Sequence, residues 1–353
     1  MLDATIERIR AAHENNTPLI IRGGGSKTFY GNAGAGDILD ARALNGVVDY
    51  QPKELVLTAR AGTPLAEIET LLAGEGQMLA FEPPHFGGPA TLGGCIAAGL
   101  SGPRRPYAGA ARDFVLGVRL IDGTGQALRF GGRVIKNVAG YDVSRLMVGA
   151  LGTLGLLTEI SLKVLPKPAA ETTLRFELDE AAAILKMNQW AGQPLPLSAI
   201  SWHAGLLTVR LSGAASAVQA AQAKLGGEAL KEAAAFWQRL RDQATPFFDK
   251  RPLWRLAVKS TTPPLAVSNR PGGEVQWIEW GGAARWLASD LPAATLREAA
   301  KIAGGHATLF RGNAPPDGVF TPLAPALSTL HRNLKQRFDP KGLFNRGRLY
   351  PDF

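Results

Sequence analysis

Three glycine-rich segments carry the chemistry that this chain can offer. The first is Arg22-Gly23-Gly24-Gly25-Ser26-Lys27, directly after the apolar run Leu19-Ile20-Ile21. Consecutive backbone N–H groups without side chains in front of them form an anion nest, and Arg22 and Lys27 bracket it with positive charge. The segment is not a P-loop, because no Gly-Lys-Ser/Thr follows at the required spacing. It is not a Rossmann fingerprint either, since Thr28 stands where the third glycine belongs. The second segment runs from Thr91 to Gly102 (TLGGCIAAGLSG), small and uncharged throughout, with Arg104, Arg105 and Arg112 close behind to neutralise phosphates. The third, Gly149 to Thr158 (GALGTLGLLT), is again small, apolar and glycine-spaced. Each alone reads equally well as close backbone packing. In this order, within one 160-residue stretch, they describe a surface that admits a flat, phosphate-bearing ligand.

Other reactive residues are sparse. The five histidines, His13, His85, His203, His306 and His331, show no ligand spacing, and Cys95 is the only cysteine. No metal site and no intramolecular disulfide is expected. Cys95 reads as a small buried hydrophobe. His203, beside Trp202, reads as a structural histidine at a hairpin. Arg255, Lys259 and Arg311 fall on expected strands and are weak catalytic candidates together with His203: a cation there stabilises developing negative charge if it faces the site. Trp277 and Trp280 are expected on opposite faces of one strand. The basic residues Arg332, Lys335, Arg337, Lys341, Arg346 and Arg348 lack interleaved aromatics. They read as a solvated face or a dock for an acidic protein, not as a nucleic-acid site.

The elements that must position these groups follow from periodicity. Helices are expected at 4–14, 64–73, 180–190, 214–225, 229–243 and 326–338, the second capped by Thr63 with Pro64 in its first turn. Strands are expected at 18–22, 55–61, 115–122, 126–130, 155–165, 172–178, 199–203, 206–211, 253–259, 274–280 and 307–311, with Ala204-Gly205 as a hairpin turn. The first part is α+β without a regular βαβ series, and the later part is an antiparallel sheet with helices on one side. Residues 164–168, with two prolines, read as a linker.

The whole chain has 353 residues and a net charge of +9, enough for about two domains and suited to an anionic partner. Residues 1–10 mix acids and bases and lack the form of a signal peptide. The uncharged stretch 83–103 is interrupted by glycines and prolines, so it is no simple membrane helix. A cytoplasmic protein is expected, with at most peripheral attachment at the inner face of the cytoplasmic membrane.

Taken together, Arg22 to Ser26, Thr91 to Gly102, Arg112-Asp113-Phe114-Val115-Leu116-Gly117, residues 136–142 (KNVAGYD) and Gly152 to Thr158 resemble the FAD-binding domain of the vanillyl-alcohol-oxidase/p-cresol-methylhydroxylase (PCMH) family. The ending Phe338-Asp339-Pro340-Lys341-Gly342-Leu343-Phe344-Asn345 resembles that family's C-terminal return. Within the family the chain is most similar to the FAD-binding E-subunit branch of bacterial glycolate oxidases. The resemblance implies a two-subdomain PCMH-type FAD-binding domain (1–168), a cap domain with an antiparallel sheet flanked by helices (169–325) and a C-terminal segment returning to the first domain (326–353). It implies FAD held by the backbone of Gly23, Gly24, Gly25 and Ser26 beside Arg22 and Lys27. Gly93, Gly94, Ala97, Gly99, Ser101 and Gly102 would line its second side, with Gly109, Ala110 and Arg112 nearby. Gly152, Gly155 and Leu157 would meet the adenine end, and Asn345 the flavin or ribityl chain. Ala110 replaces a family serine, and Arg346 replaces a common proline.

Ser26 stands where flavin-linked relatives carry histidine, so the FAD is expected to be non-covalent. The resemblance also implies a larger flavin subunit and an iron–sulfur subunit as partners, with a small 2-hydroxy acid as substrate and no nucleic acid. The chain has no Glu-His-Gly segment of the kind that self-sufficient relatives carry. Hydroxy-acid oxidation by the chain alone is therefore expected to be slow or absent. Two rivals stand beside this reading: a self-sufficient FAD-dependent alcohol or hydroxy-acid oxidase, and a non-catalytic assembly subunit.

Overall fold

The computed structural model describes residues 2–132, 142–268 and 276–353. In chain order the first part comprises α1 (Leu2–Asn15), β1 (Leu19–Arg22), β2 (Asp37–Asp40), β3 (Val47–Gln51), β4 (Val56–Arg60), α2 (Leu65–Gly74), β5 (Gln77–Met78), α3 (Leu92–Ala98), α4 (Arg105–Ala108), α5 (Ala111–Phe114), β6 (Val115–Ile121), β7 (Ala127–Gly131), α6 (Val143–Leu146), β8 (Leu156–Lys163) and β9 (Leu165–Pro166). β1 and β2 pair in parallel, and α1 buries Ile9 and Ala12 against Leu19, Leu39, Leu343 and Phe344. The five-stranded sheet β3-β4-β8-β6-β7 is antiparallel throughout. α2 presents Leu65, Ile68 and Leu72, one helical face, to the core behind this sheet. Each such side chain removed from water stabilises the fold by roughly 1.5–3 kcal/mol, as an upper estimate.

The cap adds β10 (Ala170–Glu177), α7 (Glu180–Ala191), β11 (Leu197–His203), β12 (Leu206–Gly213), α8 (Ala215–Leu225), β13 (Glu228–Ala229), α9 (Ala233–Arg241), α10 (Pro246–Asp249), β14 (Leu253–Ala257), β15 (Gln276–Glu279), β16 (Ala284–Ala288), α11 (Ala293–Ile302) and β17 (His306–Arg311). Its eight strands run β13-β10-β12-β11-β15-β16-β14-β17. Alternation sends Ile200, Ile278 and Leu287 outward to the cores around α7, α8 and α11. Ala199, Trp277 and Trp286 point inward, toward Leu100 and Leu151 of the first part. The inward core also holds Trp237 of α9 and Phe248 of α10, so helices lie on both faces of the sheet, not on one. Ala204 and Gly205 both have positive φ, 48° and 79°, which makes the β11–β12 connection a tight hairpin.

Several expected boundaries shift for identifiable reasons. Pro64, not Thr63, caps α2, because the Thr63 hydroxyl bonds the backbone of Gly46. The expected helix at 229–243 begins at Ala233, since Glu228 and Ala229 pair with β10 at the sheet edge. The linker segment is anchored: Val164 is fully buried, and Leu165 and Pro166 pair with Met78 and Gln77. Strand β16 and helix α11 carry no strong turn or cap signal and were not anticipated. The first two residues of the strand expected at 274–280 lie outside the described residues, as do 136–141 of the KNVAGYD motif.

α12 (Pro325–Phe338) brings the chain back to the first part. Lys335 is buried there and donates to Asp339 Oδ2 at 2.7 Å, to Thr153 O at 2.8 Å and to Phe344 O at 2.8 Å. Asp339 in turn accepts from the amides of Leu343 and Phe344. A second cluster bolts the cap down. Arg210 Nη2 donates to Glu82 Oε1 at 2.7 Å, and Arg104 Nη2 donates to Glu171 Oε2 at 2.9 Å.

Candidate functional site

The nest segment leaves β1 and crosses the N-terminal end of α3. Among the described residues, the amides of Gly24, Gly25, Ser26 and Lys27 donate to no protein acceptor. Four adjacent unsatisfied donors on partly buried backbone need an anion or water. They border a groove of about 270 Å³ that continues past Thr91, Gly94, Ala97 and Asn345. An adjoining pocket of about 70 Å³ is lined by Gly93, Met147, Gly152, Leu154, Gly155 and Leu157. One end is therefore a cradle of donors, and the other is a slot of small and apolar groups.

Glycine is required here by close contact with residues 89–91. A Cβ on Gly24 would stand 1.5 Å from the Pro89 carbonyl oxygen, and one on Gly23 would stand 2.3 Å from Thr91 Oγ1. Thr91 itself caps α3, accepting from the Gly94 amide. Asn345, at φ 43°, accepts from the Ile21 amide at 2.8 Å and donates to Leu151 O at 2.5 Å, so one side chain ties together the three walls of the groove. Arg348 holds the loop from outside, donating to the carbonyls of Lys27, Thr28, Tyr30 and Asn32. With Lys335 buried, two cations expected on a docking face are thus internal struts. Lys27 folds back over Phe86, 5.5 Å from the ring centroid, and burial lowers its ammonium pKa.

The structure gathers Arg22 to Lys27, Gly93, Gly94, Ala97, Gly152, Gly155, Leu157 and Asn345 around this groove. It places the other expected residues elsewhere. Gly99 ends α3 at φ 63°, against Gly149. Ser101 accepts from the Ala111 amide, and Gly109, Ala110 and Arg112 form the α4–α5 turn. Arg112 is exposed. Cys95 is buried, its thiol pushed up to about 12, as suits an unreactive core residue.

Ser101 and Gly102 instead border a small cleft beneath the cap, with Gln243, Arg255, Glu279, Trp280 and Trp286. Arg255 donates to Tyr30 Oη at 3.2 Å and lies over the rings of Tyr30, Trp286 and Phe310. Arg311 lies over Phe29, 4.3 Å from its centroid, with its pKa lowered to about 10 by burial and by Arg251. Lys259 is exposed beyond the end of β14. His203 stacks on Trp277 at 4.3 Å and shares a hydrogen bond with Gln276 O, a structural arrangement. Trp277 is core. Trp280 has left the strand, and its indole N–H donates to Gly102 O.

Sequence reasoning missed Glu279. It is buried in a β-strand between aromatics, accepts from Trp286 Nε1 at 2.7 Å, and burial pushes its pKa up to about 7. Only its place next to Trp280 hinted at a site.

Residues 2–131 match the family described as FAD binding domain. The chain is 49% identical over 350 residues to glycolate oxidase subunit GlcE of Escherichia coli (strain K12), covering 99% of this chain and 97% of that protein. It is 33% identical over 175 residues to glycolate oxidase subunit GlcD of Bacillus subtilis (strain 168), covering 48% of this chain and 37% of that one. To the mitochondrial D-lactate dehydrogenase [cytochrome] 1 of Saccharomyces cerevisiae it is 30% identical over 178 residues, 48% of this chain and 30% of that one. A crystal structure of alkyldihydroxyacetonephosphate synthase superposes with a TM-score of 0.65 at 18% identity, over 97% of this chain and 74% of that one, and shows the shared fold. Among the described residues no helix is long and apolar enough to cross a membrane.

Proposed function

The chain belongs to the family of glycolate oxidase GlcE subunits, FAD-dependent oxidoreductases, and from that premise we propose that it carries electrons from a small 2-hydroxy acid to an iron–sulfur partner chain. The observation that carries the reading is the row of four unpartnered amides, Gly24 to Lys27, at the donor end of a groove whose other end is apolar. A dinucleotide cofactor has this division: a charged diphosphate between flat rings. FAD, when bound, supplies an acceptor for two electrons that can be passed on singly.

The chain's own residues then have separate tasks. The nest amides hold the diphosphate, Gly93, Gly94 and Ala97 let the backbone approach, and Gly152, Gly155 and Leu157 close over the adenine side. Asn345 keeps the walls in register. Ser26 offers no stable attachment, so the flavin is held without a covalent bond. In this reading residues 1–168 form the FAD-binding domain, 169–325 the cap and 326–353 the returning segment, a division supported by the distinct cores within the first part and the outer face of the cap and by Phe338, Leu343 and Phe344 packing back into the first part. A larger flavin subunit and an iron–sulfur subunit are the partners that the family reading implies, with attachment to a membrane surface at most peripheral.

The second reading, oxidation of the hydroxy acid by this chain unaided, gains from one observation: Glu279 and Arg255 share a cleft beneath the cap. Affinity purification from native cells separates the readings. The first expects an iron–sulfur chain to co-purify and FAD to be released from this subunit on denaturation. A flavin-loaded chain that purifies alone and turns over glycolate at the cell's rate would establish the second. A chain without flavin would leave only the assembly role.

A further inference from the structure

Helix α12 is 14 residues long, yet it buries only Lys335 and Phe338, and none of residues 325–334 is buried. A helix of this length draws its stability from an apolar face packed on something else. Here that face is bare. Leu327 is 50% exposed and Leu330 52%, one turn apart on the same side. Ala326 beside them is exposed too, and Leu334 is only partly buried on the core of the first part. Arg337, two turns after Leu330, falls in line with it, exposed and without an ion-pair partner among the described residues. The C-terminal tail lies along the other side of the helix: His331 meets the rings of Tyr350 and Phe353, and Arg332 pairs with Asp352.

Charge decides what fits this face. Residues 318–338 contain no Asp or Glu. Ala324 gives α12 no side-chain cap, so the positive pole of the helix is open at one end. Arg337 stands at the other, followed by Lys341 and Arg346, which bond only backbone carbonyls. A second copy of this chain would bring like charges together across a two-fold contact. An anionic lipid surface needs a wide apolar face, and two leucines without an aromatic make a narrow one. A protein surface with an apolar centre and an acidic rim matches both features. We propose that the face of α12 carrying Leu327, Leu330 and Arg337 is the dock for a partner chain of the complex, which meets it with an apolar segment bordered by Asp or Glu side chains. The leucines supply the desolvated centre of the contact, and Arg337 supplies a charged edge. This dock presupposes the reading above, in which the chain works in a complex.

Sedimentation velocity of the purified complex over a dilution series tests this. Leu327→Glu combined with Leu330→Glu should raise the apparent dissociation constant at least about tenfold. Flavin absorbance per chain and the urea midpoint of that variant should equal the parent's, because both leucines already stand half in water. Should the double variant unfold earlier, Leu330→Gln alone, which adds no charge, should still weaken the complex. Rising salt should weaken the parent complex, and Arg337→Gln should make that dependence shallower. Leu185→Glu, on α7 and 59% exposed, should leave the complex intact. An unaltered dissociation constant in the leucine variants, an unaltered salt dependence in Arg337→Gln or equal weakening by Leu185→Glu would each overturn the proposal. So would self-association of the purified chain, or its flotation with phosphatidylglycerol vesicles, if the double variant abolished either. A parent chain that purifies without partners overturns the functional reading and the dock together, whereas a parent complex that withstands the substitutions overturns the dock alone.

Discussion

Replacing Gly24 by alanine adds one methyl group, and the structure says where it goes. The new Cβ would lie 1.5 Å from the Pro89 carbonyl oxygen and 2.5 Å from the Pro89 carbonyl carbon. Ordinary contact needs more than 3 Å, so the nest and residues 89–90 must part by roughly 1.5–2 Å, more than side-chain adjustment supplies. Overpacking of this kind costs about 1–3 kcal/mol or more. The displacement also carries the four amides away from the groove they border. The reason differs from the one the sequence suggests, in which a side chain fills space that phosphates need: here backbone meets backbone first. Gly34→Ala is the control, since it lines the same groove but its Cβ meets nothing nearer than Arg346 O at 3.8 Å. It should leave stability unchanged or raise it by about 0.4–1 kcal/mol through the unfolded chain. Flavin absorbance per chain and urea unfolding midpoints of both variants are the assay. Gly24→Ala should lose its flavin and unfold earlier. Full flavin content with an unaltered midpoint would refute the reasoning.

Glu279 titrates at about 7 in the fold and near 4.5 when free, so its contribution is fully present below 4.5 and is lost as pH rises through 7. The loss is about 3 kcal/mol at most, and Glu279→Gln should flatten that part of a stability-versus-pH series measured by urea unfolding. Lys335→Met strands Asp339 in the interior beside two backbone amides and should cost about 3–5 kcal/mol in the same assay, whereas a loss below 1 kcal/mol would mean the pair is wetter than it looks. Glu82→Gln unbalances Arg104 and Arg210, so limited proteolysis should cut between the cap and the first domain faster than in the parent. Acid precipitation should leave a colourless pellet and yellow supernatant, and a yellow pellet would reveal a covalent flavin.

Local pattern made the nest legible, because three glycines after an apolar strand leave the backbone few other uses. The hairpin at Ala204-Gly205 was legible for the same reason: turn chemistry is carried by adjacent residues. Groove residues such as Gly93 and Gly152 were legible only in combination, through a resemblance. Gly99, Ser101 and Gly102 share that segment yet serve a helix end and a second cleft, because α3 turns the chain away after Ala98. Arg348 and Lys335 read as surface charge, since sequence shows the cation but not the carbonyls that surround it. Glu279 was invisible for the converse reason. A glutamate in an alternating strand reads as solvated, and its burial follows from β16, a neighbouring strand without a turn signal in the sequence, which pairs with Gln276 to Glu279 and sets Trp286 against the carboxyl.

Electron transfer to an iron–sulfur partner is the claim on which the functional account stands. The direct measurement is anaerobic addition of glycolate to the purified complex, with the iron–sulfur centres followed by electron paramagnetic resonance, in the parent and in a co-purifying complex carrying Gly24→Ala. The account predicts that the iron–sulfur signal develops within the turnover time in the parent and fails to develop when this chain has lost its flavin. Reduction of the centres at the parental rate in the flavin-less complex would contradict it.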